Sequence, residues 1–461
     1  MTTDHRSVDV VVVGAGTAGA NAAAKLAVAG HRVLLLERRG ADAAGAQWHN
    51  GVLDWQFDAA GVARPAPPER APTVPRTHMV GPDGHYGVCV GDNPVTRADM
   101  ALLGKRLRGD ARDAGVELVD HVEGIDVRTD GDRIVAIDVA VTAPQKPPRS
   151  LSVEAALFVD ASGRTGVLRR HSRPLAPWCP EVGGDELCTA ADHHVRIDDV
   201  DGARRFLDRY GAAPGESVTM VGLAGGFSTR AITVSADLSE ASVLVGCLAN
   251  GRYSTGSRML SQTRSDEPWL GDSISGGAGL IPLRRPYARL SASGIALVGD
   301  AACQVFPAHG SGIGMGLLAG SMLAEAVAGA SDPGDENVLW AYQANFQRTY
   351  GGMLAAFDAF RRMSTALGSR GVGRMLHAGL LNENLVRAGL DQRWQVPDRA
   401  AMPAMAYRLA RVPSVAAKML PLLARGQLLY PMGRCYPREA DVVALGRWNA
   451  RVERLLGPLP S

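Results

Sequence analysis

Aromatic side chains make up only 5% of the 461 residues, and no long apolar run stands beyond the first thirty positions. Nothing after that point is apolar over enough length to cross a bilayer. Residues 8–30 are apolar enough to resemble a signal peptide, but Asp4 and Asp9 flank the start, three glycines interrupt the run, and Asn21 and Lys25 sit inside it. A strand, a tight turn and a helix explain this segment better, so a cytoplasmic protein without a transmembrane segment is expected. The six cysteines (Cys89, Cys179, Cys188, Cys247, Cys303, Cys435) show neither a C-x-x-C nor zinc-ligand spacing, which argues against a metal site and a disulfide framework. An excess of one charge is also missing: 49 Lys+Arg against 47 Asp+Glu leave a net +2. A nucleic-acid partner therefore has no electrostatic basis, and a small-molecule substrate is the expectation, for a monomer or homodimer.

What is present begins with a βαβ unit. The β-branched run at residues 8–13 reads as a parallel strand buried on both faces, the alanine-rich stretch 18–29 as a helix stopped by Gly30, and residues 31–37 as a second buried strand. Residues 40–95 turn to Gly, Pro and turn formers and read as an irregular excursion walling the active site. Helical spacing returns at 99–115, and strands follow to 141 with a hairpin signal at Asp130-Gly131. Period-two alternation over 171–282 predicts an antiparallel sheet, 294–299 another buried strand, and 331–461 helices. The expected class is α/β. A discontinuous dinucleotide domain (1–170 with 283–330) carries an inserted substrate sheet (171–282) and a C-terminal helical region (331–461).

Gly14-Ala-Gly16-Thr17-Ala18-Gly19 follows the first strand and opens the first helix. The glycines allow a tight turn, backbone approach to a pyrophosphate and close helix–strand packing, and the helix N-terminus favours phosphate. Glu37 is placed to accept from a ribose 2′-OH, and it would repel the 2′-phosphate that Arg38 and Arg39 suggest. These residues alone do not separate FAD from NAD.

The separating segment is Gly299-Asp300-Ala-Ala-Cys303-Gln-Val-Phe-Pro307-Ala-His309-Gly310-Ser-Gly312-Ile313-Gly314-Met-Gly316. Here the chain resembles the glutathione-reductase-type FAD proteins of the p-hydroxybenzoate hydroxylase, geranylgeranyl reductase and flavin-dependent halogenase superfamily. The resemblance implies that Asp300 binds the ribityl hydroxyls and that Pro307 lies beside the isoalloxazine. Amides from Gly312 onward would then face the flavin edge where charge accumulates on reduction. Phe158-Val-Asp160-Ala-Ser162-Gly163-Arg164 looks like the middle motif of that superfamily, in the form more usual in reductases and halogenases. Arg97 matches its FAD-contacting arginine, and Val122 joins the expected cofactor contacts. A single G-x-G-x-x-G argues against a resident NAD(P)H domain, so NAD(P)H is expected only as a transient reductant.

His309 is a candidate acid/base and Cys303 a candidate thiolate, because both fall within the flavin turn. Tyr86, His78, His85, Arg230, Arg252, Arg284 and Arg285 are further pocket candidates. The apolar stretch 412–424 reads first as core or dimer packing, with a substrate channel or peripheral contact with a membrane bearing a greasy substrate as the alternative. The leading functional expectation is monooxygenation of a hydrophobic or aromatic small molecule, as in secondary metabolism. The second is carbon-carbon double-bond reduction, although the aromatic-rich Tyr-x-Trp-x-Phe-Pro strand of geranylgeranyl reductases is missing. Halogenation is disfavoured, since the tryptophans never take the Gly-Trp-x-Trp-x-Ile-Pro spacing. A non-redox cyclase or flavin-binding protein stands as the alternative from another class.

Overall fold

Val10, Val11 and Val12 have no exposed surface because the strand Thr3–Val13 lies between two parallel neighbours, Arg149–Asp160 and Val33–Leu36. The computed structural model describes residues 3–85, 87–145, 147–394 and 399–459. Eight strands form the first sheet, its main path running Ser291–Ala292, Ile295–Leu297, Arg149–Asp160, Thr3–Val13, Val33–Leu36, Glu117–Val119. The hairpin of Val122–Asp130 and Arg133–Val141 joins through Arg149–Asp160, its turn made by Gly131 at φ 57°. The helices Thr17–Val28, Met100–Asp113 and Ile313–Val327 all supply buried residues to the core around this sheet. The architecture is α/β with a helical C-terminus, as the motifs predicted.

The second sheet has seven strands in the order Leu270–Pro282, Leu187–Ile197, Glu240–Leu248, Ser228–Val234, Ser217–Val221, Arg76–Val80, Gly87–Gly91. Its pairs are antiparallel except Ser217–Val221 with Arg76–Val80. One face is filled by Phe206, Leu207, Val243, Val245 and Trp269 with the helices Val200–Arg209 and Gly256–Asp266.

Two expectations change. The excursion at 40–95 is not irregular: His49–Leu53 pairs with Val95–Asp99, and Arg76–Val80 and Gly87–Gly91 complete the second sheet. Prolines and glycines there punctuate short strands whose partners are far away in sequence. Apolar spacing from Leu339 to Phe360 fits one long helix, but two form, Glu336–Phe346 and Gly352–His377, joined by a π-turn at Gln347–Gly351 and broken again at Gly368 (φ 64°). Tyr86 lies outside the described residues.

Candidate functional site

Gly14 takes φ +106°, and a Cβ on it would run into the Ala161 carbonyl. A Cβ on Gly19 would strike the Gly14 carbonyl, whereas one on Gly16 meets only Gly45, at 3.7 Å. The turn is thus pressed against the sheet on two sides and open on the third. The helix it opens has no side-chain cap, so its first N–H groups are left for an acceptor from outside the chain. Glu37 closes the turn: its buried carboxylate accepts from the Ala15 and Arg39 amides, each at 2.9 Å. Val122 donates its amide to the Glu37 carbonyl at 2.9 Å, and Arg38 is exposed beside them.

The second glycine segment meets the first. Gly316 and Gly299 pack on Ala18, and Gly320 packs on Ala22, where any larger side chain would push the two helices apart. Asn21 ties them by donating to the Leu317 carbonyl at 2.8 Å. Two helix starts, Thr17 and Ile313, therefore lie side by side, and neither has a side-chain cap. The turn itself is braced from behind. Gln304 accepts from the Gly299 amide at 2.8 Å and donates to the Tyr342 hydroxyl at 2.9 Å, and that hydroxyl donates to the Leu297 carbonyl. Gly310 sits against the second sheet and Ser311 against the strand His49–Leu53, donating to the Gly51 carbonyl at 3.0 Å.

Asp300 points toward the second helix start: a Cβ on Gly312 would lie 3.2 Å from its Oδ1. Among the described residues no cation offsets it, and burial pushes its carboxyl up to about 6. His309 is exposed, yet its ring is closely surrounded by protein. Its lost solvation pushes the imidazole down to about 4, so it is neutral near pH 7. Its ring packs tilted against Phe306 at 4.6 Å, and Nε2 lies 3.4 Å from the Gly389 carbonyl. Pro307 is buried beside it.

Other predicted residues are placed differently. Asp160 is fully buried, and its carboxylate accepts from the Ser162 amide and hydroxyl and from the Leu168 and Arg169 amides. It shapes its own loop from within instead of presenting an acceptor to a ligand. Cys303 is buried in a left-handed turn (φ 54°), and burial pushes its thiol up to about 11, so it has no thiolate to offer near neutral pH. Arg97 points to the second sheet, donating to Ser242 Oγ at 2.6 Å near Asp192. Arg284 and Arg285 are buried, with Arg284 over the Tyr287 ring at 5.2 Å and Arg285 donating to Glu453. His78 pairs with Glu216 at 2.8 Å, and Arg230 with Asp266 at 3.1 Å. His85 and Arg252 are exposed and take no part in the turn.

Three features escaped the sequence reading. Arg108 is 2% exposed and turns Nη1 toward the Ala15 carbonyl at 3.3 Å, while Nη2 has no partner. An orphaned guanidinium nitrogen at the glycine turn, beside an uncapped helix start, suits a pyrophosphate. The only signal for it was an arginine next to Leu107 on an apolar stripe, with Gly104 one turn earlier making room. A polar group also joins the strand pair His49–Leu53 and Val95–Asp99 to the second sheet: Arg97, Asp192, Ser242 and a His49–His194 ring pair at 5.6 Å. Burial pushes Asp192 up to about 6 against the pull of Arg97. Finally, rings run from the second glycine segment to the C-terminal helices: Phe306 to Phe357 (4.3 Å), Phe357 to Trp394 (5.2 Å), Trp394 to Tyr430 (6.4 Å).

Residues 9–72 match the family of FAD dependent oxidoreductases. The digeranylgeranylglycerophospholipid reductase of Sulfolobus acidocaldarius is 24% identical, with 97% of each chain covered. A reductase of the same description from Methanopyrus kandleri is 27% identical over 77% of this chain and 87% of its own. Among solved structures, a geranylgeranyl bacteriochlorophyll reductase-like protein from Thermoplasma acidophilum has a TM-score of 0.70 at 17% identity, covering 91% of this chain and all of that one (100%). The flavin-dependent brominase Bmp2 has a TM-score of 0.59 at 18% identity, covering 90% of this chain and 100% of that one.

Proposed function

We propose that this FAD-dependent oxidoreductase, of the superfamily that includes the geranylgeranyl reductases and the flavin-dependent halogenases, reduces carbon-carbon double bonds in a long, apolar, isoprenoid-like substrate. The observation that carries this reading is the extent of the likeness to the Sulfolobus reductase, 97% of both chains. It takes in the C-terminal helices that would enclose an extended substrate as well as the flavin-binding half. The apolar cluster under those helices supports it: Met79, Met363, Met375, Met405 and Met419 meet there, and methionine adapts its shape to flexible apolar ligands.

FAD, when bound, supplies the hydride that one alkene carbon receives. In this reading Gly14, Gly16, Thr17, Ala18 and Gly19 hold the pyrophosphate together with Arg108, and Glu37, Arg38 and Val122 hold the adenosine end. Asp300 accepts from the ribityl hydroxyls, and Gly299 gives the turn the room to approach them. Gly312, Ile313 and Gly314 would offer their amides to the flavin near Pro307, where the helix start favours negative charge, while the Gly310 amide donates to the Phe306 carbonyl at 2.9 Å and shapes the turn. His309, neutral near pH 7, can donate from one ring nitrogen while accepting at the other, and so pass a proton without storing charge. NAD(P)H acts as a visiting reductant.

The test is anaerobic turnover of a geranylgeranyl-chain lipid with NADH, NADPH or dithionite. Expected products are heavier by two hydrogens per double bond. Oxygen incorporation under air, with no anaerobic product, would overturn the reading in favour of a monooxygenase. One observation favours that second outcome: the strand Leu270–Pro282 carries no aromatic residue.

A further inference from the structure

The helices Met402–Ala410 and Pro413–Met432 bury one side in the methionine cluster, through Met405 and Leu409 on the first and Val415, Met419, Leu422 and Leu423 on the second. The opposite side is bare. On the second helix Ala417, Leu420, Pro421, Ala424, Leu428 and Pro431 are all exposed, and their spacing of three and four residues makes one stripe. Leu420 and Leu428 are 49% and 56% exposed, and the first helix adds Met402 at 50% and Tyr407 at 68%. A helix facing water carries polar residues on that side; this stripe has none.

Charge indicates the partner. Across residues 401–431 the charged side chains are Arg408, Arg411, Lys418 and Arg425, with no acidic residue, in a chain whose net charge is only +2. Arg408 and Lys418 donate to the Gly379 and Ala366 carbonyls at 2.8 Å, contacts that leave their charge unneutralised. Arg374 adds a further cation, donating to Ser414 at 3.3 Å. A second copy would bring these cations against their own kind across a twofold axis. An anionic lipid surface would match both the apolar stripe and the cations that flank it. No helix among the described residues is long and apolar enough to cross a membrane, so the segment would lie on a bilayer and not span it. We propose that residues 401–431 dock this protein on the surface of bilayers containing anionic lipids. The ring path from Phe306 ends at Tyr430, on this same helix. The inference requires no turnover and stands independently of the double-bond reading.

Flotation of the FAD-loaded full chain with vesicles tests it. Wild type should float with vesicles of equal parts phosphatidylcholine and phosphatidylglycerol, and at least about tenfold less with phosphatidylcholine alone or in high salt. Leu420→Glu/Leu428→Glu should fall to background while keeping its flavin and its reduction of detergent-dispersed substrate. Arg411→Glu/Lys418→Glu should lose the preference for phosphatidylglycerol. The proposal is overturned if wild type stays below the phosphatidylglycerol vesicles or if both double variants float like wild type. It is equally overturned if light scattering shows a wild-type dimer that Leu420→Glu/Leu428→Glu converts to monomer, the stripe then being a dimer face. Loss of substrate reduction in every protein, with flotation intact, would count against the double-bond reading alone.

Discussion

Arg108 holds a buried charge with one nitrogen unpartnered, a costly arrangement unless something completes it. If that completion is the pyrophosphate, Arg108→Ala removes a charge-assisted contact of about 1.5–3 kcal/mol, and FAD affinity should fall roughly 10- to 150-fold. Fluorescence titration of the apoprotein measures this, and an unchanged Kd would place Arg108 outside the site. Glu37→Ala should weaken FAD binding by about 1–3 kcal/mol, because it also strips the Ala15 and Arg39 amides of their acceptor. Asp300→Ala and His309→Ala should part ways. The first should lose flavin and activity together, while the second keeps its flavin and loses turnover by roughly a hundredfold. Parallel loss of flavin and turnover in both would make His309 a brace of the turn.

At the scale of elements, the contact between the two helix starts is the one to break. Gly316→Val would set a branched side chain against Ala18, and overpacking of this kind typically costs about 1–3 kcal/mol. Flavin occupancy and melting temperature should drop together; a variant with wild-type flavin content would show that the contact tolerates separation. Much of this was legible in advance, since glycines at fixed intervals after a buried strand report close backbone approach through local geometry alone. Residues 40–95 were opaque for the opposite reason. Thr77 pairs with Ser217, and Gly51 with Arg97, and no local periodicity encodes partners at those separations. Asp160 misled because its likeness to a family motif says nothing about which way its carboxylate faces. The guanidinium of Arg97 answers to Asp192 and Ser242, on two strands of the second sheet that sequence alone does not bring near.

For the molecule as a whole, the carboxyl of Asp192 links stability to pH. Its folded pKa, about 6, stands above the ordinary 3.8. Its contribution is therefore full below the unfolded value and is lost as pH rises through about 6. The stability of Asp192→Asn relative to wild type should then grow between pH 4 and pH 8, by on the order of 1–3 kcal/mol. Denaturant titrations at several pH values read this difference, and a flat one would mean that Asp192 is better solvated than its burial suggests. The bond from Asn21 to the Leu317 carbonyl bears on how the protein is made. Its partners are 296 residues apart, so a ribosome adding about 5–20 residues per second finishes the first half of the cofactor cradle roughly 15–60 s before the second exists. Until the helix Ile313–Val327 emerges, the nascent chain presents the first glycine turn without its partner, so under the proposed reading the cofactor is captured only after residue 327 has been made.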